Sequence, residues 1–273
     1  MIKSILRLIR FDLSKVLKEK KVIILYFLIL LYAITRSQYI YIPNLNMIDI
    51  VMVIQMNSPF VIIVESFFSI YIGSNLFIEK ELSCFIKSRI KYKRNWIISK
   101  IASILIINVV IFLVTIIISF ITGLIIGGYG TEWGNRILSL PPEYPYAALY
   151  SPYKLLLINT IIFTSVMTLL SLISGMIYLK FNATYLGISI TLMYMLGSSA
   201  LSFLGGGAIA KAIIFTNYII FSRRNYFNTE SELMYMTTRQ SLIYPIIALA
   251  VLVVYCVWRV KKFEFRTGDK KYE

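Results

Sequence analysis

The chain has 273 residues, of which 58% are hydrophobic and 15% charged, and it carries 28 Lys and Arg against 13 Asp and Glu, no His and 2 Cys. An average soluble domain is about 45–50% apolar and about 25% charged, so the composition excludes a soluble enzyme, and the hydrophobicity excludes a disordered chain. The missing imidazole argues against zinc and histidine-relay chemistry, which leaves a polytopic membrane protein.

The N-terminal segment has the pattern of an amphipathic helix. Apolar residues recur at the helical period over residues 2–19, with Lys and Arg between them. We therefore expect residues 1–21 to form an interfacial helix on the membrane surface. The alternative is a basic cluster that only fixes the topology. The apolar positions are Ile2, Ile5, Leu6, Ile9, Leu13, Val16 and Leu17.

Six apolar stretches are long enough to form membrane spans, each of which needs about 20 residues. Together they predict an all-α polytopic fold with six transmembrane helices in a single transmembrane domain over residues 1–273. Residues 39–54 are also weakly apolar, so five or seven spans remain alternatives. The six stretches are Val22–Tyr41, Ser58–Ile78, a run from Ile101, Leu155–Leu179, a run from Phe181, and Ser241–Trp258.

The segment between the second and third spans, Glu79–Lys100, is too polar to cross the bilayer and too long for a turn. It begins with acidic residues and ends with basic ones, which suits the macrodipole of a helix. We predict a short cytoplasmic amphipathic helix here, where a partner could push. A basic loop that only fixes topology is the alternative.

The stretch 204–240 divides the fifth apolar run from the sixth span. Gly205, Gly206 and Gly207 interrupt the run, and Ala208–Phe221 is short for a full span. A re-entrant segment on the outer face is the favoured interpretation, because irregular backbone at membrane depth must be protected by protein or a cavity. An additional span is the rival interpretation.

The distribution of basic residues predicts the orientation of the chain. In the six-span topology 21 of the 28 basic residues lie on the side that holds both termini, and 7 lie on the other side. By the positive-inside rule both termini are cytoplasmic. The net charge of +15 is therefore mainly a topology signal, and no nucleic-acid partner is expected.

Polar residues inside the spans are candidates for a translocation path. Glu65 is the only acid within a span and must be protonated, paired or facing water, since a central charge costs roughly 2.5–3.5 kcal/mol. Ser58, Ser69 and Gly73 share its helix face. Such stripes serve either close helix packing, which we favour for the fourth and fifth spans, or a polar path for a substrate. In the fourth span the candidates are Thr160, Thr164 and Thr168.

Motifs for catalysis on this chain are absent from the sequence. It contains no G-x-x-x-x-G-K-[ST] phosphate loop, no G-x-S-x-G and no H-E-x-x-H. We therefore expect no catalytic residue, no metal and no cofactor on this chain, and any energy source must lie on a partner.

The arrangement resembles the membrane (permease) subunit of type-2 ABC exporters. The likeness covers the whole chain: a basic interfacial helix before span one, a cytoplasmic coupling helix between spans two and three, and a re-entrant outer segment before span six. Local sequence features are similar too. They are Glu79 after span two, the Arg94-Asn95-Trp96 stretch, Lys100 at the start of span three, and the ending Phe263–Asp269.

This resemblance implies a mechanism and a set of partners. Two such permease subunits, identical or related, would form a translocation path, and two separate ATPase subunits would supply ATP and Mg from the cytoplasm. Glu79, Glu81, Arg94 and Lys100 would couple the chain to them.

The same resemblance implies the site of action and the class of substrate. The protein would lie in a bacterial cell membrane and move an amphipathic or hydrophobic peptide, lipid or drug, including antimicrobial peptides for export or immunity. The competing hypothesis is a non-transporting scaffold, sensor or immunity protein.

Overall fold

The structure, a computed structural model, describes most of the chain. The described residues are 2–39, 45–56, 60–77, 93–134, 150–181, 183–201 and 238–260. Within these ranges the regular structure is entirely helical, as the sequence predicts. The predicted outer segment 204–240 falls almost wholly outside the described residues, and so does the coupling segment up to residue 92.

Eight α-helices and one short π-helix make up the described chain. Helix α5 begins at Lys93, eight residues before the predicted third span, because neither Gly nor Pro interrupts residues 93–122. The last turns of the coupling segment are therefore the first turns of α5. The helices are α1 (Ile2–Leu17), α2 (Lys20–Tyr39), α3 (Met47–Met56), the π-helix (Phe60–Glu65), α4 (Ser66–Asn75), α5 (Lys93–Ile126), α6 (Pro152–Phe181), α7 (Thr184–Leu201) and α8 (Thr238–Arg259).

Three of these helices, α5, α6 and α8, are long and apolar enough to cross a membrane. Large apolar side chains are exposed along α5 and α8, for example Ile125 at 75% and Val254 at 70%. Exposed apolar surface of this extent marks an interaction with lipid or with another protein. The protein is therefore a helical membrane protein, as its composition predicts.

The predicted second span is not one regular helix. It contains the π-helix Phe60–Glu65, which continues directly into α4. The Ser66 hydroxyl donates to the Val61 carbonyl at 2.7 Å, five residues earlier, and reinforces the wider turn. Single π-turns inside helices occur frequently at functional sites. The irregular turn ends at Glu65, the lone acid of the predicted spans.

Helix α6 is at the centre of the bundle and packs against α4, α5, α7 and α8. Its contact with α4 depends on small residues. A Cβ at Gly73 would lie 2.4 Å from Cβ of Ser171, so only glycine allows this approach. The Ser171 hydroxyl donates to the Ser69 carbonyl at 3.0 Å, and the hydroxyls of Ser74 and Ser174 are 2.6 Å apart. In this part of the fourth span the small-residue stripe packs helices together.

Several segments predicted to share one side of the membrane meet at one end of the bundle, which we call the basic end. Lys21 at the start of α2 is hydrogen-bonded to Tyr71 near the end of α4. Phe77, just after α4, meets Trp96 in the first turn of α5 with ring centroids 6.0 Å apart. At the opposite end, Trp133 donates to the Tyr150 carbonyl at 2.8 Å, which joins the segment after α5 to the start of α6.

We predict that Gly73→Ala destabilises the protein. The new methyl group would overlap the Ser171 side chain and force α4 and α6 apart, an overpacking that costs about 1–3 kcal/mol. Thermal unfolding of the purified protein in detergent measures the effect. Gly197→Ala in α7 is the matched control, because a Cβ there meets no atom within 4 Å. Equal melting temperatures for the two variants would contradict the packing assignment.

Candidate functional site

A buried ion pair joins α1 to α5 at the basic end. The ammonium of Lys100 lies 2.8 Å from Oδ1 of Asp12, and the Ser103 hydroxyl donates to Oδ2 of the same carboxylate at 3.1 Å. Asp12 is 2% exposed and Lys100 is 3% exposed. The Lys100 ammonium also lies 5.8 Å from the ring centroid of Trp96, within the range of a cation–π interaction. Both oxygens of the carboxylate are thus occupied.

The predicted coupling residues fall in different environments. Lys100 lies inside the ion pair and fastens the N-terminal helix to α5. Arg94, two helical turns earlier on α5, is exposed and available to a partner. Glu79 and Glu81 lie outside the described residues. A surface that includes Arg94 would therefore be rigidly connected to α1 through Lys100.

Asp12 is the buried partner of Lys100, and the sequence analysis missed it. A signal for it was present, since Asp12 lies on the apolar face of α1 between Ile9 and Val16, where an acid is out of place. The observed packing also leaves Leu6 and Leu17, which belong to the predicted apolar stripe, 58% and 59% exposed. Helix α1 thus packs one face on α5 and keeps other apolar side chains free for lipid.

A second polar group lies around Glu65, which is completely buried. Neither carboxyl oxygen has a hydrogen-bond partner of good geometry in the described part of the chain. Thr115 of α5 faces the carboxyl, but its hydroxyl donates to the Ile111 carbonyl at 3.1 Å. Tyr32 of α2 lies within electrostatic range of both Glu65 and Arg36. We call Tyr32, Arg36, Glu65 and Thr115 the Glu65 cluster.

The Glu65 cluster is rich in unsatisfied polar atoms. The Tyr32 hydroxyl and Nε of Arg36 are buried and, like the Glu65 carboxyl, lack a hydrogen-bond partner among the described residues. Tyr32 is fixed in place by stacking on Phe60 of the π-helix, with ring centroids 4.3 Å apart. Unpaired buried polar groups are costly, so a cluster of them is typical of a site that binds a proton, water or ligand.

The other predicted path residues are mostly satisfied within the bundle. Thr160 and Thr164 donate to carbonyls of their own helix at 2.8 and 2.7 Å. Thr168 accepts a hydrogen bond from the Asn108 amide of α5 at 3.2 Å. The Ser69 hydroxyl is buried without a partner in the described ranges, one turn after Glu65. Ser58 lies outside the described residues, and a role in a path stays a prediction for all of these side chains.

Asp49 organises the opposite end of the bundle, and the sequence analysis also missed it. Asn46 and Asp49 form a reciprocal cap at the N-terminus of α3, since each side chain accepts the other's backbone N–H, at 3.0 and 3.1 Å. Asp49 also accepts the Gly134 N–H at 3.0 Å, and the Asn46 amide donates to the Glu132 carbonyl. Burial raises the pKa of the Asp49 carboxyl, and the N–H groups of Gly134 and Asn46 oppose that shift.

The described residues hold no group of three or more His, Cys, Asp or Glu side chains that could bind a metal ion. Comparison with known proteins finds no protein-family model and no curated protein that matches the chain. The features of the chain that can indicate its function are the buried ion pair at the basic end, the Glu65 cluster, and the long helix α5 that contributes to both.

We predict that breaking the ion pair from either side destabilises the protein. Asp12→Asn leaves the Lys100 ammonium buried and Lys100→Met leaves the carboxylate buried, and an uncompensated buried charge costs about 3–5 kcal/mol. The joint replacement Asp12→Asn with Lys100→Met removes both charges and recovers most of the loss. Melting temperatures in detergent decide this, with exposed Arg94→Met as the control. Additive losses in the double variant would refute a direct pair.

We predict that Glu65→Gln keeps or raises the stability of the protein. The amide has the shape of the carboxyl and cannot become charged, so the substitution places no charge in an enclosure that offers no hydrogen-bond partner. Glu65→Lys places an ammonium in the same enclosure and should lower the melting temperature strongly. If Glu65→Gln is as unstable as Glu65→Lys, the carboxyl makes bonds that the amide cannot replace.

Proposed function

We propose that this chain is the membrane subunit of an ATP-driven exporter of the type-2 ABC class, powered by separate ATPase subunits. The observation that carries the proposal is that the last turns of the coupling segment, from Lys93, are the first turns of α5. The Asp12–Lys100 pair in turn fastens α5 to the amphipathic helix α1. A partner that moves residues 79–92 would act directly on this assembly.

The length of α5 gives such a displacement a route through the bundle. Its 34 residues extend roughly 51 Å at about 1.5 Å per residue. Gly123 and Gly127, near its C-terminus, lie directly against backbone atoms of Met47 and Leu45 at the start of α3. Movement at the basic end would therefore reach the Asn46–Asp49 cap at the opposite end without an intervening hinge.

The complete transporter proposed here has six spans per chain and both termini in the cytoplasm of a bacterium. Two permease subunits, identical or related, form the path, and two ATPase subunits bind ATP and Mg. The substrate is an amphipathic or hydrophobic peptide, lipid or drug, including antimicrobial peptides. Within the chain, the Glu65 cluster is the polar group best placed to respond, because Thr115 lies on the moving helix.

Binding of an ATPase subunit tests the proposal. We expect the full-length protein to co-purify with an ABC ATPase encoded beside it and to change its rate of ATP hydrolysis in nanodiscs. Glu79→Lys and Glu81→Lys should each reduce co-purification at least about tenfold, since loss of a charged contact at an interface costs on the order of 2 kcal/mol. Glu132→Lys is the matched control, because Glu132 is exposed at the opposite end.

Two outcomes would overturn the proposal. Either no ATPase binds and ATP has no effect on activity, or the control variant loses binding as strongly as the coupling variants do. Stable binding of a partner without movement of any substrate would favour the non-transporting scaffold, sensor or immunity protein instead.

A further inference from the structure

A crevice of about 360 Å³ opens at the basic end, where α1 passes into α2 beside the end of α4. The two helices are joined by a tight turn, in which the Glu19 N–H donates to the Val16 carbonyl and the Val22 N–H to the Glu19 carbonyl, each at 3.0 Å. This turn brings basic residues of both helices to one place. The lining residues are Lys15, Glu19, Lys20, Lys21, Tyr71 and Asn75.

The wall of the crevice is partly preorganised. The Lys21 ammonium is hydrogen-bonded to the Tyr71 hydroxyl and lies 4.7 Å from the centroid of the same ring. This contact holds one positive charge at the junction of α2 and α4. Asn75 is one turn further along α4 and adds an amide that can donate or accept.

The charges of the lining select an anion. The lining residues carry three ammonium groups and one carboxylate, that of Glu19, so the lining has a net positive charge at neutral pH. Phosphate oxygens are suitable acceptors for lysine ammonium and amide donors. Basic pockets between helices at the cytoplasmic side of membrane proteins bind the headgroups of anionic lipids in this way.

The surroundings favour a phosphate that carries acyl chains over a free one. The apolar face of α2 begins two residues after Lys21, and Ile23, Ile24 and Phe27 are 61%, 54% and 62% exposed. A headgroup held in the crevice would therefore have exposed apolar surface within reach of its acyl chains. Free phosphate would gain nothing from this neighbouring surface.

We propose that this crevice binds the headgroup of an anionic phospholipid, with the phosphate among Lys15, Lys20 and Lys21 and the polar end of the headgroup against Tyr71 and Asn75. Such a lipid would hold the α1–α2 turn against α4, whether or not an ATPase is bound. The site is a feature of this chain alone and does not depend on the proposed transport activity.

The test measures lipid selectivity with the full-length protein in vesicles. Electron paramagnetic resonance compares spin-labelled phosphatidylglycerol with spin-labelled phosphatidylcholine as motionally restricted lipid. We expect a preference of several-fold for phosphatidylglycerol, and a triple variant Lys15→Gln, Lys20→Gln, Lys21→Gln that loses most of it. The matched control Lys3→Gln, Arg7→Gln, Arg10→Gln removes three charges from exposed positions on α1 outside the crevice and should keep the preference.

The remaining arms make the result decisive. Equal loss in both triple variants would overturn the site in favour of diffuse attraction to the membrane, and no preference in the wild type would show that the crevice binds no anionic lipid. Binding of inorganic phosphate is measured separately by calorimetry, and a wild type that binds phosphate but shows no preference for phosphatidylglycerol would mean that the crevice binds free phosphate and that the lipid assignment is wrong. If the triple variant does not fold, Lys20→Gln is compared with Lys3→Gln, and a loss confined to Lys20→Gln supports the proposal.

Discussion

The buried ion pair between Asp12 and Lys100 determines how helix α1 packs against helix α5 at the basic end. A carboxylate and an ammonium that are both almost fully buried are stable only together, with the Ser103 hydroxyl occupying the remaining oxygen. Because the partners are 88 residues apart in the chain, the pair fixes the N-terminal helix on α5 in one register.

Helix α5 connects the ion pair, the Glu65 cluster and the Asn46–Asp49 cap. At its first turns it holds Lys100, in its middle Thr115 faces Glu65, and after its end Gly134 donates to Asp49. Proteins that move between two states need elements that are stiff over their length and bistable at their contacts. Helix α5 is uninterrupted over its length, with unsatisfied polar atoms beside it and a hydrogen-bonded cap beyond it.

The sequence predicts the class of the fold and the approximate helix positions, because hydrophobic length and charge distribution are local properties. It also marks Glu65 as exceptional, and the structure buries that residue completely. The partners of Asp12 and Glu65 could not be predicted, since amphipathic periodicity places a residue on a face but gives no register against a distant helix. The Asn46–Asp49 cap is different, because its three-residue spacing is a local signal that the sequence analysis overlooked.

The π-helix illustrates another limit of reading from hydropathy alone. Residues 60–75 are uniformly apolar apart from Glu65 and small polar residues, and nothing in that pattern distinguishes a π-turn from an α-turn. The stacking of Tyr32 on Phe60 and the enclosure of Glu65 arise from tertiary packing. Neither contact could therefore be predicted from the local pattern.

Under the proposed function, α1 and α5 move as one body when a partner acts on the coupling segment. Double electron–electron resonance tests it in the complete complex, with spin labels at exposed Leu6 on α1, Ile125 on α5 and Val254 on α8, after Cys84 and Cys256 are replaced by Ser. Between the nucleotide-free and the ATP-trapped states we predict an unchanged Leu6–Ile125 distance and a shifted Ile125–Val254 distance. A shifted Leu6–Ile125 distance with a constant Ile125–Val254 distance would contradict the account.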